Sequence, residues 1–291
     1  MQNLFAPGHR ACAGCAMPTA VKLILDAAGP NTIVASPTGC LEVISTPFPE
    51  SAWEVPWVHS LFENAAAVAS GIDVVMKRLG KEDTNILVIG GDGSTFDIGI
   101  GCISGMFERG HNVKYICYDN EAYMNTGVQR SSSTPFCTNT TTTPAGKVSF
   151  GNPLPKKDMP AIAVAHRVPY VATASVAYPV DLRKKVKRAC GIKGPAYIQI
   201  SAPCITGWNF EAGNTIEIAR LAVETCLSPL YEYVNGELDG VKKVRSKKPV
   251  EDYLKTQGRY RHLFRKDGGA EVIGKIQAMA DANALKFGLL D

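Results

Sequence analysis

Residues 88–99 read VIGGDGSTFDIG, in which an apolar run passes directly into glycines, an acid and a helical pattern opened by Asp97. Glycines at the carboxyl end of a parallel strand let the backbone approach a ligand closely, and the start of the next helix offers free N–H groups to an anion. A phosphate-bearing ligand suits that turn. The carboxylate of Asp92 would repel a phosphate unless a divalent cation bridged the two, and Mg²⁺ binds through one or two carboxylates plus substrate phosphates. A second apolar run ends in YDNEAYMNTG, which places Asn120 twenty-eight residues after Asp92. A strand–helix–strand unit covers that separation, so both side chains reach one rim of a sheet. Asp92 and Asn120 are expected there as oxygen ligands.

The elements that position these residues follow from the patterning. Apolar, β-rich runs at 31–36, 84–91, 113–120, 169–176 and 195–201 alternate with helical patterns at 18–28, 63–79, 97–110, 158–166 and 180–191. That alternation predicts an α/β fold, a doubly wound and mostly parallel sheet covered on both faces. Residues 129–157, rich in Ser, Thr and Pro, are too polar for core and are expected as a long functional loop. Beyond residue 228 the alternation is lost. We therefore expect a domain over 1–228 and, over 229–291, an extension lying on the domain or on a partner, ending in a helix at 269–287.

Cys12 and Cys15 form a Cys-Ala-Gly-Cys pair in GHRACAGCAMP. Alone it fits a redox couple, half a zinc site or half an iron–sulfur site. A thioredoxin-type couple would follow a strand, and none precedes this pair. Two more cysteines, Cys40 in SPTGCLE and Cys204 in SAPCITG, follow predicted strands at the rim that carries Asp92 and Asn120. Four thiolates there suit either tetrahedral Zn²⁺ or a [4Fe–4S] cluster. Cys102, Cys117, Cys190 and Cys226 lie mostly inside predicted elements and are expected as small buried hydrophobes. Cys137 sits in the Thr-rich loop and is less easily placed.

The 291 residues, 45% hydrophobic, are enough for one large domain or two small ones. Nine cysteines, an odd number, argue against a full set of disulfides and for a reducing, cytoplasmic setting. No basic segment followed by an apolar run opens the chain, and no 18-residue apolar stretch suggests a membrane span. No motif supports nucleic-acid binding. The net charge is +4, but residues 241–291 hold twelve Lys and Arg against six Asp and Glu. That basic tail suits a subunit clamp, or a dock for an acidic ferredoxin through Lys242, Lys243, Lys247 and Lys248.

Gly-Asp-Gly followed within thirty residues by Asn resembles the thiamine diphosphate signature. The resemblance implies that Asp92, Asn120 and the Ala122 carbonyl hold Mg²⁺ against a diphosphate cradled by Gly91, Gly93 and Ser94. A cofactor of that kind gives an adjacent [4Fe–4S] cluster a purpose, as an acceptor of single electrons, which a structural zinc would lack. The motifs GHRACAGC, TGCLEV, VPWVHSLFENAAAVASG, GDGSTFDIG, YDNEAYMNTGVQRS and KPVEDYLKTQGRYRHL together resemble the thiamine diphosphate-binding β subunits of 2-oxoacid:ferredoxin oxidoreductases over nearly the whole chain. Ala16, where glycine is expected, is the one small departure.

The resemblance implies that Cys12, Cys15, Cys40 and Cys204 ligate the cluster and that Asn125 lies beside the reacting substrate. It implies reversible, coenzyme A-dependent oxidative decarboxylation of pyruvate, with 2-oxoisovalerate as the runner-up substrate and ferredoxin as electron acceptor. It further implies an α subunit with the pyrimidine-type domain, a γ subunit and a ferredoxin-like δ subunit, so the chain alone is expected to be inactive. A non-redox thiamine diphosphate subunit with structural cysteines is the alternative. Thr38, Gly39 and Glu63 are further cofactor-side candidates, although Thr38 and Gly39 equally suit a plain turn and Glu63 a helix-start acid. His59 is expected as a polar loop histidine.

Overall fold

The computed structural model describes residues 3–47 and 49–290. Its strands are β1 (Thr32–Pro37), β2 (Trp57–Ser60), β3 (Asn85–Gly91), β4 (Val113–Asp119), β5 (Tyr170–Ser175), β6 (Ala196–Ser201), β7 (Tyr231–Val234) and β8 (Glu237–Val241). They form one sheet in the order β2-β1-β3-β4-β6-β5-β7-β8. Pairing is parallel from β2 through β5, and β7 and β8 are added antiparallel at the β5 edge. The helices are α1 (Ala16–Ala28), α2 (Cys40–Ser45), α3 (Ala65–Arg78), α4 (Ile100–Glu108), α5 (Met159–Ala165), α6 (Pro179–Gly191), α7 (Ile205–Trp208), α8 (Thr215–Glu224), α9 (Val250–Lys255) and α10 (Gly269–Lys286).

Alternation along the strands sorts the core into two layers. Leu87, Ile89, Ile116, Tyr118, Ile198 and Ile200 face α1 and α6. Their neighbours Ile86, Val88, Tyr115, Cys117 and Tyr197 face α3, α4 and α5. Both faces are therefore apolar, which is why these strands read as continuous hydrophobic runs. A third cluster gathers Trp208, α8, α9 and α10 with β7.

All five predicted strands are present, as are all six predicted helices, with ends differing by up to three residues. Two expectations change. His59 lies on β2, the edge strand, and not in a loop. Asp97 does not open a helix: Gly93–Ile98 form a π-helical turn, and α4 starts after it. Residues 129–157 contain no helix or paired strand among those described. The chain after residue 228 contributes β7 and β8 to the same sheet and α9 and α10 to the third core cluster.

Candidate functional site

Parallel strands deliver their following loops to one rim. Thr38 and Gly39 follow β1, Asp92 follows β3, Asn120 follows β4 and Cys204 follows β6. Gly91 is in register with Tyr118, so Asp92 and Asn120 emerge side by side. A cavity of about 170 Å³ opens between them. Its walls include Thr38, Gly39, Cys40, Gly91, Asp92, Gly93, Ser94, Asn120, Ala122 and Asn125, and also Tyr118, Tyr123 and Met124. Glu63 is not part of that wall, whereas its neighbour Phe62 is.

One end of the Asn120 amide stands 2.9 Å from both Asp92 Oδ1 and the Ala122 carbonyl oxygen, and with its nitrogen there it donates to both. Turned over, the same amide would set its oxygen beside the other two, the orientation a bound cation would favour. An octahedron of Mg²⁺ ligands at about 2.1 Å has an edge of about 2.9 Å, so the donor types and their spacing fit that ion. Asp92 is 1% exposed. Burial, reinforced by Asp119, pushes its carboxyl well above the usual carboxylate range, and a bound cation would reverse that penalty.

The turn is shaped for close approach. A Cβ at Gly93 would collide with the Tyr123 ring, which is held by a hydrogen bond from Tyr123 Oη to Asp97 Oδ2 at 2.8 Å. Ser94 and Thr95 donate back to the Gly91 carbonyl at 2.9 and 2.6 Å, fixing the turn from inside. The first N–H groups of a helical turn have no partners within it, which suits the diphosphate.

The long 129–157 loop clamps this rim. Ser131 donates to Asp92 Oδ2 at 2.5 Å, and Ser133 donates to Asp119 Oδ1 at 2.6 Å. The Ser132 N–H reaches Asp97 at 3.0 Å, and Lys157 donates to the Phe96 carbonyl. Lys156 lies 2.5 Å from Asp119 and 3.1 Å from Glu121. Against the cost of burial, those two carboxylates hold the Lys156 ammonium above its ordinary value. Glu121 itself sits at φ 69° and does not line the cavity that its sequence neighbours Asn120 and Ala122 wall. Burial opposes its ionisation, yet Lys156 and Arg259 hold it below the usual range. Ser131, Ser133, Lys156 and Arg259 were not singled out from the sequence. The loop's composition alone marked the segment, and nothing local marks which hydroxyl meets which acid.

The four proposed cluster cysteines share a neighbourhood. Cys40 begins α2, and its ionisation is disfavoured by burial and then by Cys204, Cys15, Cys12 and Asp92, which push it up to about 12. Cys15 is pushed up to about 11 by burial, with Cys204 and Cys12 adding to it. Cys204 caps α7, its sulfur accepting from the Gly207 N–H at 3.4 Å, and burial raises it as well. Cys12 is exposed. Gly14 turns the pair at φ 79°, where a Cβ would strike Ala212, and its carbonyl accepts from Thr215 at 2.6 Å. That contact brings the amino-terminal pair to the segment after Cys204. Among the described residues no group of three or more His, Cys, Asp or Glu side chains is drawn together closely enough to hold a metal ion. Thiolates are nevertheless the donors an iron–sulfur cluster takes, and bound iron would lower the raised values of Cys15, Cys40 and Cys204. Cys117, Cys137 and Cys226 are buried, whereas Cys102 and Cys190 are half-buried against the core.

At the cavity mouth, residues 123–129 form a tight loop, closed by the Tyr123 N–H bonding to the Gln129 carbonyl at 2.9 Å, with exposed Asn125 near its tip. Thr38 Oγ1 is 2.8 Å from His59 Nε2 on the neighbouring strand. Met124 lines the cavity and packs against Gly207, which stands beside Cys204.

A parallel sheet with a Gly-Asp-Gly turn, and Asp92, Asn120 and the Ala122 carbonyl meeting at adjacent strand ends, is the layout of a thiamine diphosphate-binding domain. The family model described as "Thiamine pyrophosphate enzyme, C-terminal TPP binding domain" matches residues 37–200. "Pyruvate synthase subunit PorB" of Methanosarcina barkeri is 62% identical over 97% of this chain and 96% of its own length. "Ketoisovalerate oxidoreductase subunit VorB" of Pyrococcus abyssi is 48% identical over 91% and 88%. A solved 2-oxoglutarate:ferredoxin oxidoreductase from Magnetococcus marinus, bound to 2-oxoglutarate, coenzyme A and succinyl-CoA, shares the fold with a TM-score of 0.56 at 24% identity, over 76% of this chain and 81% of that one. The chain belongs to the pyruvate synthase PorB family of thiamine diphosphate-binding subunits. Among the described residues no helix is long and apolar enough to cross a membrane.

Proposed function

We propose that this chain binds thiamine diphosphate, Mg²⁺ and one [4Fe–4S] cluster within a cytoplasmic enzyme that converts pyruvate, coenzyme A and two oxidised ferredoxins reversibly into acetyl-CoA, CO₂, a proton and two reduced ferredoxins. The observation that carries the reading is the convergence of Asp92, Asn120 and the Ala122 carbonyl at a rim that Cys40 also lines. When bound, the thiazolium supplies an electron sink for the pair released with CO₂, and the cluster an acceptor for single electrons.

Asp92, Asn120 and the Ala122 carbonyl hold the cation. Gly91, Gly93 and Ser94 bring the backbone against the diphosphate, and Thr38 and Gly39 close the opposite wall. Asn125, exposed at the mouth, donates to the substrate, so it orients the oxoacid without bearing charge. Glu63, set back from the cavity, supports the helix start behind it. Cys12, Cys15, Cys40 and Cys204 hold the cluster, with Cys40 and Met124 in the wall it shares with the cofactor cavity. The α subunit brings the pyrimidine-type domain and the carboxylate that assists thiazolium deprotonation, while the γ subunit and a ferredoxin-like δ subunit complete the assembly.

The 48% identity to a ketoisovalerate enzyme favours 2-oxoisovalerate as the second substrate to test. The anaerobically purified complex is assayed for ferredoxin reduction with each oxoacid. A kcat/KM for pyruvate at least about tenfold above that for 2-oxoisovalerate is expected, since one or two methylenes are worth that much in a pocket. The reverse ratio assigns the branched-chain substrate.

A further inference from the structure

Arg259, in the tail segment QGRYRH, is 3% exposed, an unusual place for a guanidinium. Its Nη2 lies 2.7 Å from Glu121 Oε2 and donates to Tyr253 Oη at 3.2 Å, and its Nε donates to Gln257 Oε1 at 2.9 Å. The planar group lies over the Trp208 ring, 3.7 Å from the centroid, and 4.9 Å from that of Tyr260. Both main contacts lead to the rim. Glu121, at φ 69°, stands in sequence between Asn120 and Ala122, yet it faces a different cavity from the one those two line. Trp208 ends α7, the helix capped by Cys204, and its indole N–H donates to the Asn120 carbonyl at 2.8 Å. The tail is fixed to that helix a second time, through the Gly258 N–H and the Asn209 carbonyl at 2.8 Å.

We propose that Arg259 is a positioning residue that sets two loops at once: the oxygen-donor loop through Glu121 and the Cys204 helix through Trp208. The proposal rests on the cofactor and cluster assignments above. A guanidinium suits both contacts because its edge pairs with a carboxylate while its face stacks on an indole. Lysine keeps the charge but loses the stacked plane. A merely structural arginine would lower thermal stability without separating the two loops.

The test uses the complete complex, purified without oxygen, carrying Arg259→Gln, Arg259→Lys or Glu121→Gln. Thiamine diphosphate binding is titrated against Mg²⁺. The cluster is followed by electron paramagnetic resonance of the reduced enzyme, its signal being the one lost in Cys204→Ala. Arg259→Gln is expected to raise the Mg²⁺ needed for half-maximal binding about tenfold, as loss of a charge-assisted contact does, and to alter the cluster signal. Glu121→Gln is expected to raise the Mg²⁺ requirement with the cluster signal unchanged. Arg259→Lys is expected to restore the Mg²⁺ requirement while the signal stays altered. An Arg259→Gln enzyme with wild-type values for both overturns the proposal, as does a cluster signal altered in Glu121→Gln. If Arg259→Gln fails to assemble, an unaltered signal in Arg259→Lys overturns it on its own. A wild-type complex that binds no thiamine diphosphate overturns the functional reading itself, and the proposal with it.

Discussion

At the scale of single residues, burial decides what each ionisable group at the rim can do. Burial and Asp119 oppose ionisation of Asp92, a penalty that a bound cation would reverse. Asp92→Asn is therefore expected to weaken Mg²⁺-dependent thiamine diphosphate binding more than about a hundredfold, because even outer partners of a metal are worth ten- to hundredfold. The melting temperature of the cofactor-free chain should hold or rise, which calorimetry and binding titration check together. Lys114 offers a pH test far from the site. It is 2% exposed and donates to Asn112 Oδ1 and the Ile192 and Gly194 carbonyls at 2.6–2.7 Å, yet burial pulls its ammonium down to about 8. Its folded pKa thus lies below the unfolded value of about 10.4. The unfolded chain then binds more protons between those values, so stability should rise with pH through that window. Denaturation of wild type against Lys114→Met from pH 7 to 10 should show the rise only in wild type. Asp92, Asn120 and the cysteines were legible in the sequence because a short motif or a strand end marks each. Lys114, Ser131 and Arg259 were not, since their roles come from partners up to about a hundred and forty residues away.

At the scale of elements, strands buried on both faces were the easiest to read, because each is a continuous apolar run. The edge strand β2, with exposed Val58 and His59, has no such run. The β7–β8 hairpin was missed although Asn235-Gly236 lies between its strands, with both residues at positive φ, as a tight hairpin turn requires. The basic tail obscured that signal. The 129–157 loop was legible as a functional loop, but not as a clamp. Asn152, fully buried, stitches it by donating to the Thr134, Pro135 and Leu154 carbonyls while accepting from Arg130. Asn152→Ala should cost about 3 kcal/mol, since several buried groups lose partners. It should also speed proteolytic cutting around exposed Val148, read by mass spectrometry of the fragments; wild-type stability and cutting rates would contradict the clamp.

At the scale of the whole molecule, the tail closes on its own chain. Lys242 lies over the Tyr178 ring, Lys247 pairs with Asp281 and Lys248 with Glu224, so these charges already have internal partners. That arrangement favours holding the third core cluster together over presenting a basic face to an acidic protein. Salt sensitivity of ferredoxin reduction should accordingly be unchanged when Lys247 and Lys248 are neutralised. The tail in turn reaches the rim through Arg259 and Glu121, so the strand ends are backed by the long loop and the tail. If this rim carries a cluster beside the cofactor, built from cysteines far apart in sequence, iron and acid-labile sulfide assayed in the anaerobic complex will change between wild type and Cys40→Ala or Cys204→Ala. Loss of about four irons and four sulfides from either variant is the predicted result. Unchanged iron and sulfide in both would contradict it and place the cluster elsewhere in the complex.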